Sequence, residues 1–321
     1  MNNILPQDLR VFIHAARRAN FAAAALELGA SPAYVSKRIA MLEDILKVKL
    51  FHRTTRHVSV TERGELMLSW AQRVLDVYDQ LEGTLEETQT EIRGGLRIAA
   101  SSGLGRNHVA PVLSELVKMH PGLEIDLEIL DRSVDLVDEE IDIDVRVGDV
   151  REHNVIPHHL ARGRRILCAS PEYLRTRHEP ESPADLSRHS CLLIRERNET
   201  FGRWSLQGAD GTRNVRVSAV LASNHGDVIK RWALEGHGIM LRSYWDVAES
   251  LAQGDLVHVL RKFWQPADVW AVTKIRSDNS AKTRLCIRHL RARLRSGPFA
   301  LATPGPAPAE TARARLPRPG V

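Results

Sequence analysis

Ser31, Pro32, Ala33, Ser36, Lys37 and Arg38 are grouped near the N-terminus. On a helix starting at Pro32, the residues Pro32, Ala33, Ser36 and Lys37 share the outer N-terminal face, because positions three and four apart lie on one side. Lys37 is a donor suited to guanine O6 and N7, and Ser36 can serve a base edge or a phosphate. Arg38, with Arg53, Thr54, Thr55 and Arg56 further on, makes a second set. These groups suit phosphate oxygens, which fix register without reading sequence.

A different chemistry is spelled out later in the chain. Ser101-Ser102-Gly103 stands where a strand ends and a helix begins, so hydroxyls and free N–H groups there suit a carboxylate. Ser223-Asn224 precedes another helix in the same way, and Arg132 and Arg146 are candidate counter-charges. Each has a second reading: Ser223 or Asn224 as a helix cap, Arg146 as the ion-pair partner of Asp142 or Asp144. Gly103-Leu104-Gly105 lacks the third glycine of a dinucleotide fingerprint. No nucleophile elbow surrounds Ser102, and His158-His159 has no third ligand at helical spacing, so neither a catalytic constellation, a metal site nor a cofactor is expected.

The elements that must position these groups follow from periodicity. Leu9, Phe12, Ile13 and Ala16 give one apolar face over Asp8–Ala19. Phe21–Leu28 is a short Ala-rich helix, and Gly29 suits the left-handed residue that ends it. Ser31 caps a third helix reaching Leu46, with Pro32 in its first turn and Val35, Ile39, Leu42 and Leu46 inward. Helix, tight turn and helix, followed by the short basic hairpin Leu50–Val60, describe a winged helix-turn-helix. From Thr61 an uninterrupted helix runs to about Thr90, and Met67, Trp70, Val74, Val77, Leu81 and Thr84 alternate by three and four along it. That is a coiled-coil seam, so this helix is expected to dimerise.

Gly94-Gly95 ends that helix, and short apolar strands then alternate with helices, including one expected over Ser133–Glu140. Such alternation implies parallel sheets, and about 200 residues suffice for two α/β lobes around a cleft. The expected organisation is a winged helix-turn-helix over 1–60, a dimerising linker helix over 61–92, a two-lobed domain over 93–296 and a disordered tail over 297–321, which contains six prolines.

Charge divides the chain along the same lines. The protein has 321 residues and a net charge of +5. Residues 1–60 hold nine Lys/Arg against four acids, whereas 61–92 hold two against eight. A basic compact unit followed by an acidic helix is the footprint of a polyanion-binding domain on a non-binding spacer. The three cysteines form no metal-ligand spacing, and MNNILPQDLRVF lacks the pattern of an export signal. A reduced, cytoplasmic protein without membrane contact is expected.

Residues 1–90 resemble the DNA-binding region of LysR-type transcriptional regulators. The family pattern A-A-x-x-L-x-x-S-x-x-x-V-S-x-x-I-x-x-L-E-x-x-L-x-x-x-L-F-x-R is met by Ala24-Ala25, Leu28, Ser31, Val35-Ser36, Ile39, Leu42-Glu43, Leu46, Leu50-Phe51 and Arg53. Thr61-Glu62-x-Gly64 matches the start of the family's linker helix. Pro32 stands where many members have Gln, so that base contact does not carry over. The resemblance continues to about residue 295 and implies a bilobal effector domain like periplasmic solute-binding proteins. AYVSKRI, HRTTR, GRNHVAP, RILCASPEYL and SNHGDVIKRWALEGHGIMLRSYWDV are similar to the branch that regulates D-malate and tartrate utilisation.

The expectation is therefore an α+β multidomain DNA-binding regulator that is not an enzyme. It binds double-stranded promoter or operator DNA and a small carboxylate effector such as malate or tartrate. The resemblance implies a homodimer or homotetramer, with RNA polymerase as a candidate partner. The competing readings are an α/β metabolic enzyme with an added basic domain, which needs a catalytic constellation, and a constitutive architectural protein, which leaves the bilobal domain without purpose.

Overall fold

The computed structural model describes residues 4–53, 58–87, 92–150, 152, 155–195, 201–274 and 280–303. The N-terminal unit comprises α1 (Pro6–Arg18), α2 (Phe21–Glu27), α3 (Pro32–Leu46), β1 (Phe51–Arg53) and β2 (Val58–Val60). Asn20 caps α2 by accepting from the N–H groups of Ala22 and Ala23, at 2.8 and 3.1 Å. Gly29 takes φ +60° between α2 and α3, and the Ser31 hydroxyl accepts from Tyr34 N at 3.2 Å to start α3. Phe51 sits in the middle of this core. Its ring meets Phe12 and Phe21 edge-on, at centroid distances of 5.5 and 5.3 Å, a preferred arrangement for aromatic pairs.

Glu43 ties the helices to the wing. Its carboxylate is buried and accepts from Leu50 N at 2.9 Å and Phe51 N at 3.2 Å. A buried charge is tolerable only when hydrogen-bonded in this way. The wing leads into α4 (Glu62–Glu87). Thr61 Oγ1 donates to Lys49 O at 2.8 Å and accepts from Gly64 N at 3.0 Å. Gly64 is needed because a Cβ there would stand 2.3 Å from Leu50 O. Ala71 and Leu75 on α4 are buried in the N-terminal core, so the first half of this helix belongs to the N-terminal unit.

The first lobe is built from β3 (Gly94–Ala100), α5 (Ser102–Leu104), a π-helical turn (Gly105–Val109), α6 (Ala110–Met119), β4 (Leu123–Ile129), β5 (Ile143–Val147) and β6 (Val155–Ala161). The chain crosses to a second lobe of β7 (Arg164–Ala169), α7 (Pro171–Arg177), β8 (Cys191–Ile194), β9 (Arg203–Gly208), β10 (Gly211–Arg216), β11 (Ala219–Ser223), α8 (Gly226–Leu234), β12 (Ile239–Ser243), α9 (Tyr244–Gln253), β13 (Val257–Val259) and β14 (Gln265–Pro266). It returns to the first lobe as β15 (Val269–Lys274) and α10 (Ala281–Arg295).

The sheets are mixed, not parallel as the alternation predicts. The first has strand order β4-β3-β5-β15-β6, and the second β11-β8-β12-β7-β13. β3 runs parallel to β4 and β5, but β15 is antiparallel to both β5 and β6. The antiparallel strands belong to the two crossings between lobes, which lie side by side. Ala267 N donates to Gly163 O at 3.0 Å, and Gly163 N donates to Asp268 Oδ1 at 2.9 Å. A Cβ on Gly163 would be 2.4 Å from Ala267 O, so the paired crossings need glycine there.

Two expectations about elements are corrected. Ser133–Glu140 is not helical but an irregular stretch with a turn over 136–139. Asp135 Oδ1 accepts from Val137 N and Asp138 N, an alternative to helical bonding typical of Asp. The tail does not begin at 297: Phe299 packs against the first-lobe core and Leu301 is buried within it. Residues 304–321 lie outside the described residues.

Candidate functional site

The outer face of α3 is free for a ligand. Ser31, Pro32, Ala33 and Lys37 are exposed, Ser36 is half-buried, and Val35 and Ile39 are buried behind them. Arg38 is not part of that face. Its Nε lies 2.7 Å from Asp8 Oδ1, with the arginine side chain 17% exposed, so Arg38 braces α3 on α1 instead of presenting a phosphate donor. The backbone of Arg53 ends β1 opposite Val58. The side chain of Arg53, and all of Thr54, Thr55 and Arg56, lie outside the described residues.

On α4 the side chains of Leu66, Trp70, Val74, Val77 and Leu81 are 48–64% exposed. Met67, expected in this seam, packs on the N-terminal core, and the side chain of Thr84 lies outside the described residues. The exposed positions nevertheless follow one another by three and four, as a helix-pairing stripe must.

Between the lobes lies a cleft of about 500 Å³. Its first-lobe wall includes Ser101, Gly103, Asp131 and Arg146; its second-lobe wall includes Arg195, Arg203, Ser205, Gln207, Asn224 and Arg242. Arg242 is clamped by Asp246, with Nε at 2.9 Å and Nη2 at 2.5 Å from Oδ2. Arg146 donates to Asp144 at 2.7 Å and Glu152 at 2.5 Å. Burial works against the charge of Arg146, but these two carboxylates outweigh it and hold its pKa above the ordinary value. Arg195 and Arg203 are exposed cleft residues without an acidic partner among the described residues. Two contacts clasp the lobes together. Arg106 reaches Asp227 at 2.6 Å, and His225 Nε2 lies 3.8 Å from Asp131 Oδ2. Burial raises the Asp227 carboxyl, yet Arg106 more than offsets it, leaving the pKa below the usual value.

The sequence matches the family described as "Bacterial regulatory helix-turn-helix protein, lysR family" over residues 6–65 and the "LysR substrate binding domain" over residues 89–295. The chain belongs to the LysR family of transcriptional regulators. Among similar proteins, the transcriptional regulator DmlR of Escherichia coli K12 is 49% identical over 91% of this chain and 95% of its own length. The transcriptional activator TtdR of the same strain is 42% identical over 90% and 93%. The solved structure of CrgA from Neisseria meningitidis, 24% identical, shares the fold with a TM-score of 0.69 over 92% of this chain and all of that one. Full-length AphB from Vibrio cholerae, 26% identical, gives 0.54 over 90% and 99%.

As a LysR-type regulator the chain binds DNA through its helix-turn-helix and a small effector in its substrate-binding domain. The metabolic-enzyme reading falls, since the relatives are named as regulators. Burial pushes the thiols of Cys168, Cys191 and Cys286 up to about 12, away from nucleophilic use. Among the described residues no helix is long and apolar enough to cross a membrane.

The expected effector residues divide sharply. Ser101, Gly103, Arg146 and Asn224 line the cleft. Ser102 is already satisfied: its N–H donates to Asp131 Oδ1 at 3.0 Å, and its hydroxyl donates to the same carboxylate. Ser223 accepts from His225 N at 3.0 Å and so shapes the turn before α8. Arg132 turns outward to Glu139, at 2.7 and 2.5 Å. Sequence reasoning missed Asp131, Arg195, Arg203 and Arg242. The last two had one available signal each: an arginine opening the alternating strand Arg203–Gly208, and an arginine directly after the apolar run Ile239–Leu241, whose burial demands a partner.

Proposed function

We propose that this LysR-type regulator works as a homodimer or higher homo-oligomer that reports a small dicarboxylate to a promoter. The dimer forms along the exposed α4 stripe and sets two α3 helices in successive major grooves, with Lys37 and Ser36 at base edges. The regions assigned to these tasks are 1–60 for DNA, 61–92 for pairing and 93–301 for the effector. Contact with RNA polymerase is carried in this reading without an assigned surface.

The observation that carries the effector half is the pair of guanidinium groups at Arg195 and Arg203. Two exposed cations on one cleft wall call for anionic groups on the ligand, and arginine binds carboxylates in a bidentate fork. Ser101, Asn224 and Arg146 contribute further donors. The sequence resembles the branch that regulates D-malate and tartrate utilisation, and DmlR and TtdR are among its similar proteins, so those two acids are the first ligands to test. Gel shifts on promoter DNA, with and without D-malate, tartrate or benzoate, decide the matter. A response to the dicarboxylates alone supports the reading, and a response to benzoate alone refutes it.

A further inference from the structure

We infer that Asp131 is the residue that selects the effector, accepting a hydrogen bond from a hydroxyl group the ligand must carry beside its carboxylates. This inference rests on the dicarboxylate reading of the cleft and narrows it to hydroxydicarboxylates.

Asp131 follows β4 at the first-lobe wall, and its side chain is 15% exposed while lining the cleft. Three groups approach its carboxylate: Ser102 N at 3.0 Å, the Ser102 hydroxyl, and His225 Nε2 at 3.8 Å. The two Ser102 bonds orient the group and use about two of the roughly four lone-pair sites of a carboxylate. The remaining sites can only accept. An oxygen entering that corner must therefore bring a proton; a ligand carboxylate placed there meets like charge. The anion-binding turn that Ser101-Ser102 would otherwise form is thus filled by the protein's own carboxylate, and the ligand's charged ends are directed to the arginines.

The second lobe fixes the distance between these functions. Ser223 accepts from His225 N through its hydroxyl and from Arg195 N through its carbonyl, at 3.0 and 2.8 Å. The turn that carries His225 against Asp131 is thereby joined to Arg195, whose guanidinium has no acidic partner among the described residues. A ligand spanning the cleft meets cationic donors on one side and an acceptor-only group on the other. An ammonium group would also satisfy Asp131, but Arg146, Arg195, Arg203 and Arg242 line the same cavity. A neutral hydroxyl enters that field without repulsion, whereas a cation does not.

The test is titration calorimetry of the full chain with D-malate, succinate and L-aspartate, in the wild type, Asp131→Ala and Asp131→Asn. Succinate has the carbon chain and both carboxylates of malate but no hydroxyl. The wild type should bind D-malate about tenfold or more tighter than succinate, because a site built around a hydroxyl leaves its acceptor unpaired with the analogue. Asp131→Ala should level the two. Asp131→Asn keeps an acceptor for Ser102 N–H and removes the charge, so it should bind succinate more tightly than the wild type does. If Asp131→Ala proves unfolded by its melting curve, the wild-type ratio and the Asn variant still decide. Equal wild-type affinities for D-malate and succinate would overturn the role of Asp131 and leave the dicarboxylate reading intact. L-Aspartate binding tighter than D-malate would also overturn it, since the corner would then read an ammonium. Binding of none of the three would remove the dicarboxylate reading, and this inference with it.

Discussion

The guanidinium of Arg242 lies directly against the first residue of α8: a Cβ on Gly226 would stand 2.4 Å from Arg242 Nη2. Glycine is required by this close approach, since Gly226 has no positive φ. Gly226→Ala should push the Arg242 guanidinium towards the cleft and disturb its buried pair with Asp246. We expect roughly 3 kcal/mol of lost stability in the effector domain and weaker effector binding. Thermal unfolding of the variant checks this, and an unchanged melting temperature would contradict it.

Lys37 and Arg38 are neighbours with different tasks. Lys37→Ala should weaken specific DNA binding by about 1–3 kcal/mol and relax base preference. Arg38→Ala should instead lower stability by roughly 2 kcal/mol, because the buried Asp8 carboxylate keeps only the Leu5 N–H and loses its cationic partner. Fluorescence anisotropy across a panel of operator variants, alongside urea melts, separates the two effects. A normal melt for Arg38→Ala combined with a flattened salt slope would return that residue to phosphate contact.

The α4 stripe gives a third expectation. Val74 and Val77 are 48% and 64% exposed, so Val74→Glu with Val77→Glu should leave the fold intact and prevent pairing. Sedimentation velocity should show smaller species, and operator affinity should fall because paired half-sites need paired recognition helices. A double variant that sediments like the wild type would place the main interface elsewhere.

Stability should decline on acidification below neutral pH. Burial, aided by the charges of Arg261 and Arg164, pushes His258 down to about 4, and burial also lowers His108. A histidine depressed in the folded state favours folding fully above its unfolded value of about 6.5. That contribution is lost as pH falls from there through the folded value. For His258, partly open to solvent, the loss is on the order of 2 kcal/mol by pH 4. Denaturant melts between pH 7.5 and 4 should show it, and His258→Gln should flatten the curve.

The N-terminal unit was legible because its signals are local. Ser31 caps, Pro32 starts and Gly29 turns within a few residues of where they act, and α3 runs over the expected residues. Residues whose partners are distant in sequence escaped. Arg38 reads as a solvent-facing cation until Asp8 is seen beside it, and Ser102 reads as a free donor until Asp131 arrives from β4. Pro157, His158 and His159 interrupt the apolar pattern of β6, so this strand shows only in the fold, where His159 meets Trp270 and Asp268. Arg203 opens β9, where buried Trp204 and Leu206 alternate with polar residues, and only the folded hairpin sets the arginine against the cleft.

A dicarboxylate held by the cleft arginines should alter DNA binding by α3. The direct measurement is anisotropy of a labelled promoter fragment, titrated with D-malate, for the wild type and Arg203→Ala. The wild type should show a saturable change in DNA binding. Arg203→Ala should need at least about tenfold more D-malate to reach half of that change, since a charge-assisted arginine–carboxylate contact is lost. An identical half-saturation point in both proteins would contradict it.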